Sequence, residues 1–336
     1  MKTFLIDSRR RLVVRKSAGL RLIYMAVGVL LLWPAGAQAE RLISSRNPDG
    51  LTFSTGNVYF TSHDAAGAAV WRTSQTSVPG QEQVLYWEDG ARFGDITFAQ
   101  VNGGFFGYFF AEKSNVITIR RVSLAGGRMQ ILATVKNLEI AKTHRNLVTD
   151  GVNLYWQDLL SVRKIPIGGG PQTVLDQTRL QLPVTAQPAS AGIALRGDTV
   201  IYAFGRDIRF VPKAGTTVTP AVRTIVSASA RVTALHAVSN GIYWGEETGA
   251  IRLKAGATIT TLSSTANFRP TSIWSNTAAN TAGARVAWTQ CEEQACRLHD
   301  TGAFGTITVG AEAMAIFLTP FPGKSFWGDA AGVHQR

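Results

Sequence analysis

The sequence predicts an all-β fold of seven similar units, and three observations support that prediction. A turn of small or polar residues followed by β-formers ending in aromatic residues returns at Asn57–Phe60, Gly107–Phe110, Asn153–Trp156, Val200–Phe204, Gly241–Trp244, Arg285–Trp288 and Lys324–Trp327. The repeat steps are 50, 46, 47, 41, 44 and 39 residues if the equivalent positions are Tyr59, Phe109, Tyr155, Tyr202, Tyr243, Ala287 and Phe326. No helical period of useful length follows residue 40. Together these features predict a seven-bladed β-propeller.

Residues 40–336 are predicted to be a single propeller domain of 297 residues. That length gives about 42 residues to each unit, enough for four short strands and their turns. Six blades are the alternative, but they leave one aromatic phrase unassigned. In the clearest unit, turns rich in glycine separate the four predicted strands Asn146–Val148, Asn153–Gln157, Val162–Ile167 and Gln172–Asp176.

The two ends of this domain are predicted to complete one blade together. The last unit stops at Gly332–Arg336, which corresponds to a third strand, so its fourth strand is missing. Arg41–Ser45 is the candidate, because it resembles the fourth-strand segment Thr260–Ser264. Pairing it with the last strand removes an exposed sheet edge and closes the ring.

Residues 1–39 are predicted to be a cleaved export signal. Seven Lys or Arg residues lie within residues 1–21, an apolar stretch spans Leu22–Trp33, and Ala37-Gln38-Ala39 precedes Glu40. This order is typical of a secretory signal with a small-residue cleavage site. The apolar stretch is shorter than the ~20 residues of a spanning helix, so we expect cleavage after Ala39, with a retained anchor as the alternative.

The export route has two candidates, and both place the protein in the periplasm or outside the cell. Ser8–Val14 resembles the twin-arginine motif, but Arg15, Lys16 and Arg21 separate it from the apolar stretch. We expect the Sec route, which also needs a positive start, rather than twin-arginine export.

The net charge of the chain falls by half when the signal is set aside. The whole chain has 34 basic and 22 acidic residues, and the signal holds seven of the former and one of the latter, which leaves 27 against 21, or +6. No run of Lys or Arg occurs in the remainder. Nucleic acid is therefore not an expected partner.

The two cysteines, Cys291 and Cys296, bracket four residues directly after an aromatic phrase. They are expected to face each other across one hairpin and to form a disulfide in an oxidising compartment. A metal or redox pair is the alternative, but two thiols without a nearby histidine cluster make an incomplete zinc site.

A carboxylate recurs in the predicted turn between the second and third strands of every unit. The predicted binding face carries Asp64, Glu112, Asp158, Asp207, Glu246 with Glu247, Glu292 with Glu293, and Asp329. Such a rim would suit a cation or a basic partner. The alternative is that acids are simply common in exposed turns and solubilise the face.

Arginines follow these carboxylates on most third strands, at Arg72, Arg120, Arg163, Arg209, Arg252 and Arg297. We expect each to pair with the carboxylate of its own hairpin or of the next blade. An anion-binding belt is the alternative.

Motifs that carry catalysis are absent: the sequence has no Gly-x-Ser-x-Gly, His-Glu-x-x-His or Walker pattern. His63 and His144 map to the carboxylate face and His236 to an innermost strand, so they are candidate ligands of a divalent cation, calcium or zinc, at the channel mouth. We expect no cofactor otherwise. Most tryptophans fit blade cores, although Trp87 with Tyr86 could stack on a sugar ring.

One unit carries a family resemblance. Asn153–Asp158, Arg163–Pro166 and Gly169-Gly170 resemble the Tyr-Trp-Thr-Asp repeat of receptor propellers and the exported bacterial propellers of the TolB-like and NHL-like kind. The receptor members have six blades, whereas seven phrases occur here. The resemblance implies a protein-binding or scaffolding propeller and carries no catalytic residues onto this chain.

The sequence thus predicts an exported, monomeric binding or scaffolding module whose partner is a protein or a cell-envelope polymer. It is not expected to span a membrane after processing. Two alternatives stay open. One is a metal-dependent hydrolase, lactonase or lyase with its site at the channel mouth, and the other is a carbohydrate-binding propeller.

Overall fold

In the computed structural model the described residues form twenty-eight strands. It describes residues 40–54, 56–135, 147–158, 161–177, 192–215, 223–275, 284–292, 295–301, 305–310, 313, 315–318 and 324–336. The predicted signal, residues 1–39, lies outside the described residues. Residues 38–336 form one compact unit.

The strands group by blade in chain order, and the first of them belongs to the last blade. Strand β1 is Arg41–Ser44. Blade 1 is β2 (Gly50–Ser54), β3 (Asn57–His63), β4 (Gly67–Ser74) and β5 (Gln83–Asp89). Blade 2 is β6 (Arg92–Val101), β7 (Gly104–Lys113), β8 (Val116–Ser123) and β9 (Gln130–Val135). Blade 3 is β10 (Leu147–Thr149), β11 (Asn153–Gln157), β12 (Ser161–Pro166) and β13 (Thr173–Gln177).

The remaining blades follow the same plan. Blade 4 is β14 (Ile193–Arg196), β15 (Thr199–Phe204), β16 (Asp207–Pro212) and β17 (Arg223–Ser227). Blade 5 is β18 (Val232–Val238), β19 (Gly241–Glu246), β20 (Ala250–Ala255) and β21 (Thr258–Ser264). Blade 6 is β22 (Arg269–Ser275), β23 (Val286–Glu292), β24 (Ala295–Asp300) and β25 (Gly305–Val309). Blade 7 contains β26 (Ala315–Leu318), β27 (Ser325–Asp329) and β28 (Gly332–Gln335).

Seven four-stranded antiparallel sheets confirm the predicted seven-bladed propeller. In six of them the strand order follows the chain, so the first strand lies at one edge and the fourth at the other. The strand bounds predicted for blade 3 differ from the observed ones by one residue at most. Six blades would leave one of these sheets unassigned.

Blade 7 is closed by the N-terminal strand, as predicted. Its order is β1-β28-β27-β26, with Arg41 opposite Gln335 and Leu42 opposite His334. The side chain of Ile43 is fully buried in the core between blades 7 and 1. The ring is therefore held closed by backbone pairing and by apolar burial at the same strand.

The closing strand also passes very close to a glycine. Gly332 has φ 141°, and a Cβ atom built on it would lie 1.9 Å from the carbonyl oxygen of Ser44. Only glycine tolerates both that backbone conformation and that approach. Gly332 is therefore required where β28 receives β1.

In five of the seven blades the second strand presents aromatic side chains to the cores on both sides. In blades 4 and 6 the side toward the next blade is aliphatic instead, with Ile201 and Ala203 on β15 and Ala287 on β23. Tyr155 and Tyr202 share the core between blades 3 and 4, so they lie on opposite faces of their own sheets, and the predicted equivalence of the two was wrong. Tyr59 and Phe109 share the core between blades 1 and 2 in the same way. The row that faces the preceding blade is Phe60, Phe109, Trp156, Tyr202, Trp244, Trp288 and Trp327.

Six blades share a β-bulge between their third and fourth strands. The extra residue is always aliphatic, at Leu85, Leu132, Leu175, Ile225, Leu262 and, in blade 7, Ile43. Each of these side chains packs into the core between two blades. A bulge increases local strand twist. We infer that this twist turns the aliphatic residue inward on an otherwise exposed strand.

The predicted disulfide is present. Cys291 on β23 lies directly opposite Cys296 on β24, their Cα atoms are 4.1 Å apart, and the sulfurs are bonded. Cys296 is fully buried against the core of blade 6. The bond thus fixes one hairpin, as the spacing predicted.

Replacing both cysteines with serine is expected to cost about 2 kcal/mol of unfolding free energy, because the closed loop is short and removes little entropy from the unfolded chain. Urea denaturation followed by tryptophan fluorescence measures the difference. The parent protein assayed with a reductant provides the control and should show the same loss. A cost of zero would mean that the hairpin is fixed without the bond.

Candidate functional site

The last residues of the second strands and the first residues of the third strands lie on one side of the ring, together with the ends of fourth strands and the starts of first strands. We call this side the hairpin face. The structure places all seven predicted carboxylates here: Asp64, Glu112, Asp158, Asp207, Glu246, Glu292 and Asp329. Of the two additional acids, Glu247 lies on the same face, and Glu293 lies outside the described residues.

Three of these seven carboxylates are buried rather than displayed. Asp158, Glu246 and Asp329 are 3%, 0% and 2% exposed. A buried charge must be paired or hydrogen-bonded to persist. Each of the three accepts hydrogen bonds from its own hairpin, and Glu246 and Asp329 also accept one from the connection that precedes their blade, so these three carboxylates stabilise the blades instead of forming a rim.

Glu246 shows the arrangement most completely. Its carboxylate accepts hydrogen bonds from Trp244 Nε1 at 3.0 Å, from Arg252 Nε at 2.9 Å and from the Ser229 hydroxyl. Burial raises the pKa of this carboxyl, but the hydrogen bonds and the arginine charge lower it by more, so the net pKa lies below its ordinary value. Glu246 is an ionised residue of the blade interior.

Asp158 in blade 3 is a buried carboxylate with a similar set of hydrogen bonds. It accepts hydrogen bonds from the Ser161 backbone N–H at 2.7 Å, the Ser161 hydroxyl at 2.8 Å and Arg163 Nε at 2.9 Å. The carboxylate therefore closes the hairpin onto a cation of the third strand.

In blade 7 a histidine takes the place of the arginine. His334 Nε2 lies 2.9 Å from the Asp329 carboxylate and His334 Nδ1 lies 2.9 Å from Glu40. Burial raises the pKa of Asp329, whereas His334 and the backbone N–H groups of Gly310 and Ala331 lower it by more, and the net direction is down. The histidine thus bridges the last hairpin and the N-terminal strand.

The six predicted arginines do not form one row, because only four of them lie opposite the aromatic row of the second strands. The third-strand residues opposite the aromatic row are Trp71, Arg120, Arg163, Arg209, Arg252, His299 and His334. Arg163, Arg209 and Arg252 pair with the carboxylates of their own hairpins, as expected. Arg120 pairs instead with Glu88 on the fourth strand of the preceding blade.

Arg72 belongs to a different row, one position along the strand. It donates to the Leu124 carbonyl in the next blade, and Arg121 and Lys164 likewise donate to backbone carbonyls of the blade that follows each of them. Arg297 lies opposite Gln290, with its guanidinium 4.1 Å from the centre of the Phe268 ring. Successive blades are therefore joined by cations that reach across the boundary.

The other predicted carboxylates reach solvent, and basic residues lie among them. Asp64 caps its own turn by accepting from the backbone N–H groups of Ala66 and Gly67, which lower its pKa. Glu112 and Glu292 are half-buried. The face also carries bases, including Arg46, Arg92, Lys113, Arg206, Arg231 and Arg269. The exposed rim is consequently of mixed charge.

A polar groove of about 350 Å³ opens on this face between the hairpins of blades 1 and 2. It is lined by residues of both charges, Asp64, Arg92, Glu112 and Lys113, with Ser114 and Asn115 at its edge. Arg92 and Glu112 are directly opposite in the β6–β7 pairing, yet they are not among the ion pairs of the described residues. Spacing alone had not indicated Arg92 and Lys113.

The histidines proposed as metal ligands lie in separate environments. His63 pairs with Asp49 at 2.6 Å, and this hydrogen bond raises the pKa of the histidine. His236 stacks on Trp274 with ring centres 5.0 Å apart and lines a central cavity of about 240 Å³. His144 lies outside the described residues. In the part of the chain that is described, no group of three or more His, Cys, Asp or Glu side chains could hold a metal ion.

The tryptophans follow the blade cores with one clear exception. Trp156, Trp244 and Trp327 are fully buried between blades. Trp87, on the outer strand β5, is 52% exposed, whereas its neighbour Tyr86 packs on Phe93. No helix among the described residues is long and apolar enough to cross a membrane.

Comparison with solved structures identifies other β-propellers. The WD40 propeller domain of Doa1 is 11% identical over 88% of this chain and 96% of that one, with a TM-score of 0.62. YCF48 bound to a D1 peptide is 10% identical over 88% and 95%, with a TM-score of 0.58. A chain of the nidogen/laminin complex is 14% identical over 65% and 80%, with a TM-score of 0.47. No protein-family model and no curated protein matches.

These identities define the fold class and nothing finer. The chain is a seven-bladed β-propeller. Among its predicted carboxylates, Asp158, Glu246 and Asp329 are buried and structural, Asp64 and Glu112 line the polar groove, and Asp207 and Glu292 lie at other hairpins of the same face.

Proposed function

We propose that this chain is an exported propeller that binds a protein partner in the periplasm or outside the cell, and that the hairpin face makes the contact. The groove between blades 1 and 2 is the observation on which the proposal rests. Acidic and basic side chains lie next to each other in the groove. This arrangement suits a polar segment of a partner protein that also carries both acidic and basic residues.

Arg92 and Glu112 are the residues we expect to do most for recognition. They are cross-strand neighbours, yet Arg92 Nε is buried without a hydrogen-bond partner among the described residues. A buried donor without a partner is costly, so a partner group that reached it would gain more than an exposed contact would. The fold supports the proposal in a general way, because propellers display such turns on a rigid ring, and the YCF48 propeller was solved with a peptide bound.

A site-specific photo-crosslinker at Ser114, on the edge of the groove, tests the proposal in cells that export the protein. We expect a discrete covalent adduct with one protein. The same crosslinker at Val152, on the other side of the ring and 67% exposed, is the control and should not give that adduct.

The matched variant is the swap of Arg92→Glu with Glu112→Arg, which keeps net charge and the opposite-sign neighbours but reverses their order. It should abolish the Ser114 adduct and leave the melting temperature within about 2 °C of the parent, because Arg92 and Glu112 form no ion pair with each other that the swap would break. An adduct that survived the swap in a folded protein would refute recognition at the groove.

A further inference from the structure

The side of the ring away from the hairpin face carries an excess of positive charge. It contains the turns from first to second and from third to fourth strands, and we call it the basic face. Among the described residues, five acids, Glu40, Glu82, Asp150, Asp198 and Asp300, lie on it against twelve bases: Arg41, Arg72, Arg121, Arg128, Lys164, Arg196, Lys213, Arg223, Lys254, Arg285, Lys324 and Arg336. Its net charge is +7, whereas residues 40–336 total 27 bases against 21 acids, or +6. The excess therefore resides on one side.

The side chains of four of these twelve bases have no hydrogen bond or ion pair within the described residues. They are Arg128, Arg196, Arg223 and Lys254, distributed over blades 2, 4 and 5. Others are engaged internally: Lys213 pairs with Asp150 at 3.3 Å, for example. Of these four, Arg128 and Arg223 are exposed to solvent, and Arg196 and Lys254 are half-buried.

Apolar side chains stand exposed among these charges. Val78, Phe105 and Val152 are 48%, 38% and 67% exposed, and all three lie at turns or strand ends of this face. A face that carries both exposed apolar side chains and Lys and Arg side chains free of internal pairing has the composition of surfaces that lie on lipid headgroups.

We propose that the basic face docks on the surface of an anionic lipid bilayer. In a propeller the turns of all blades end at about one level, so many weak contacts can form at once on a planar surface. The cations would meet lipid phosphates, and the three apolar side chains would enter the headgroup layer. This inference goes beyond the proposed partner contact, which uses the other side of the ring and stays free while the protein lies on the membrane.

Co-sedimentation of residues 40–336, which contain every strand of the ring, with vesicles tests the proposal. We expect binding to vesicles of phosphatidylcholine with 30% phosphatidylglycerol, none to pure phosphatidylcholine, and loss of binding in 0.5 M salt through screening. Arg128→Glu with Arg223→Glu should weaken binding at least about twentyfold, since each cation near such a surface is worth about fivefold in affinity.

The charge-matched control is Arg206→Glu with Arg269→Glu on the hairpin face, which should bind as the parent does. Equal loss in both double variants would overturn the proposal by showing that only net charge matters.

A second pair of variants separates a membrane from a soluble polyanion. Phe105→Ser with Val152→Ser leaves every charge in place and should weaken vesicle binding about tenfold through lost apolar contact, without weakening binding to dextran sulfate. Undiminished vesicle binding by this variant, or no vesicle binding by the parent, would refute docking on lipid. If a basic-face variant lost vesicle binding but still gave the Ser114 adduct in cells, the two faces would be shown to act separately.

Discussion

Deleting residues 40–44 is expected to destabilise the propeller by on the order of 5 kcal/mol, which approaches the whole stability of many domains. The deletion removes the backbone pairing of β1 with β28 and takes Ile43 out of a core in which it is fully buried. Losing a buried isoleucine side chain alone costs about 2–5 kcal/mol, and each lost hydrogen bond adds about 0.5–1.5 kcal/mol.

Thermal unfolding followed by circular dichroism measures this loss. The melting temperature of the deleted protein should fall by about 10 °C or more relative to a chain that begins at Glu40. Adding a synthetic peptide of residues 40–46 should recover part of the shift, because binding to the native state alone stabilises it. An unchanged melting temperature would mean that blade 7 is stable with three strands.

A single substitution tests the same closure without shortening the chain. Gly332→Ala would push a methyl group to 1.9 Å from the Ser44 carbonyl oxygen, so β1 would have to move. Gly256→Ala is the matched control, because Gly256 also has positive φ, 58°, but no atom lies within 4 Å of the position that a Cβ would take there. The control should show only the backbone cost of about 1 kcal/mol, and Gly332→Ala should lose several times more.

The sequence predicts well those features that depend only on a particular residue type occurring at a fixed spacing. The turns of blade 3 contain glycine and proline where the chain reverses, so its strand bounds follow directly. The closing strand was predictable because Arg41–Ser44 matches other fourth strands and the last blade lacked one. Cysteines flanking a tight turn likewise indicated the disulfide.

Features that depend on which face of a strand a residue occupies were harder to predict. An alignment error of one residue along a strand assigns a side chain to the other side of the sheet. For this reason the alignment of the aromatic phrases matched Phe109 and Tyr202 with residues that face the opposite core. The same offset placed Arg72 with Arg163, although the two side chains act in different rows. A signal that would have fixed the register was present in the aliphatic residue of each bulge, such as Leu85 and Leu175.

Burial of the carboxylates was the least predictable feature, because an acid in a hairpin turn is ordinarily exposed. What distinguishes Glu246 is a tryptophan two residues before it and an arginine six residues after it, and both donate hydrogen bonds to it. Asp158 has a serine and an arginine three and five residues later, which act in the same way. Charge alone did not separate these structural acids from Glu112 in the groove.

Replacing Glu246 with alanine is therefore expected to cost about 3–5 kcal/mol, because Arg252 and the Trp244 N–H would lose their buried acceptor. Asp207→Ala is the matched control, since Asp207 makes the equivalent pair with Arg209 at a partly exposed site, and should cost only about 0.2–1 kcal/mol. Urea unfolding at neutral pH measures both values.

The pH dependence of stability gives this prediction a second, independent test. The folded pKa of Glu246 lies below its ordinary value of 4.5, so its contribution is fully present above pH 4.5 and is lost as pH falls through the folded pKa. Glu246→Gln should therefore be less stable than the parent at pH 7 and approach it as the pH falls below 4.5 and through the folded pKa. A constant difference across that range would mean that the charge of Glu246 does not stabilise the blade, and that its burial reflects packing alone.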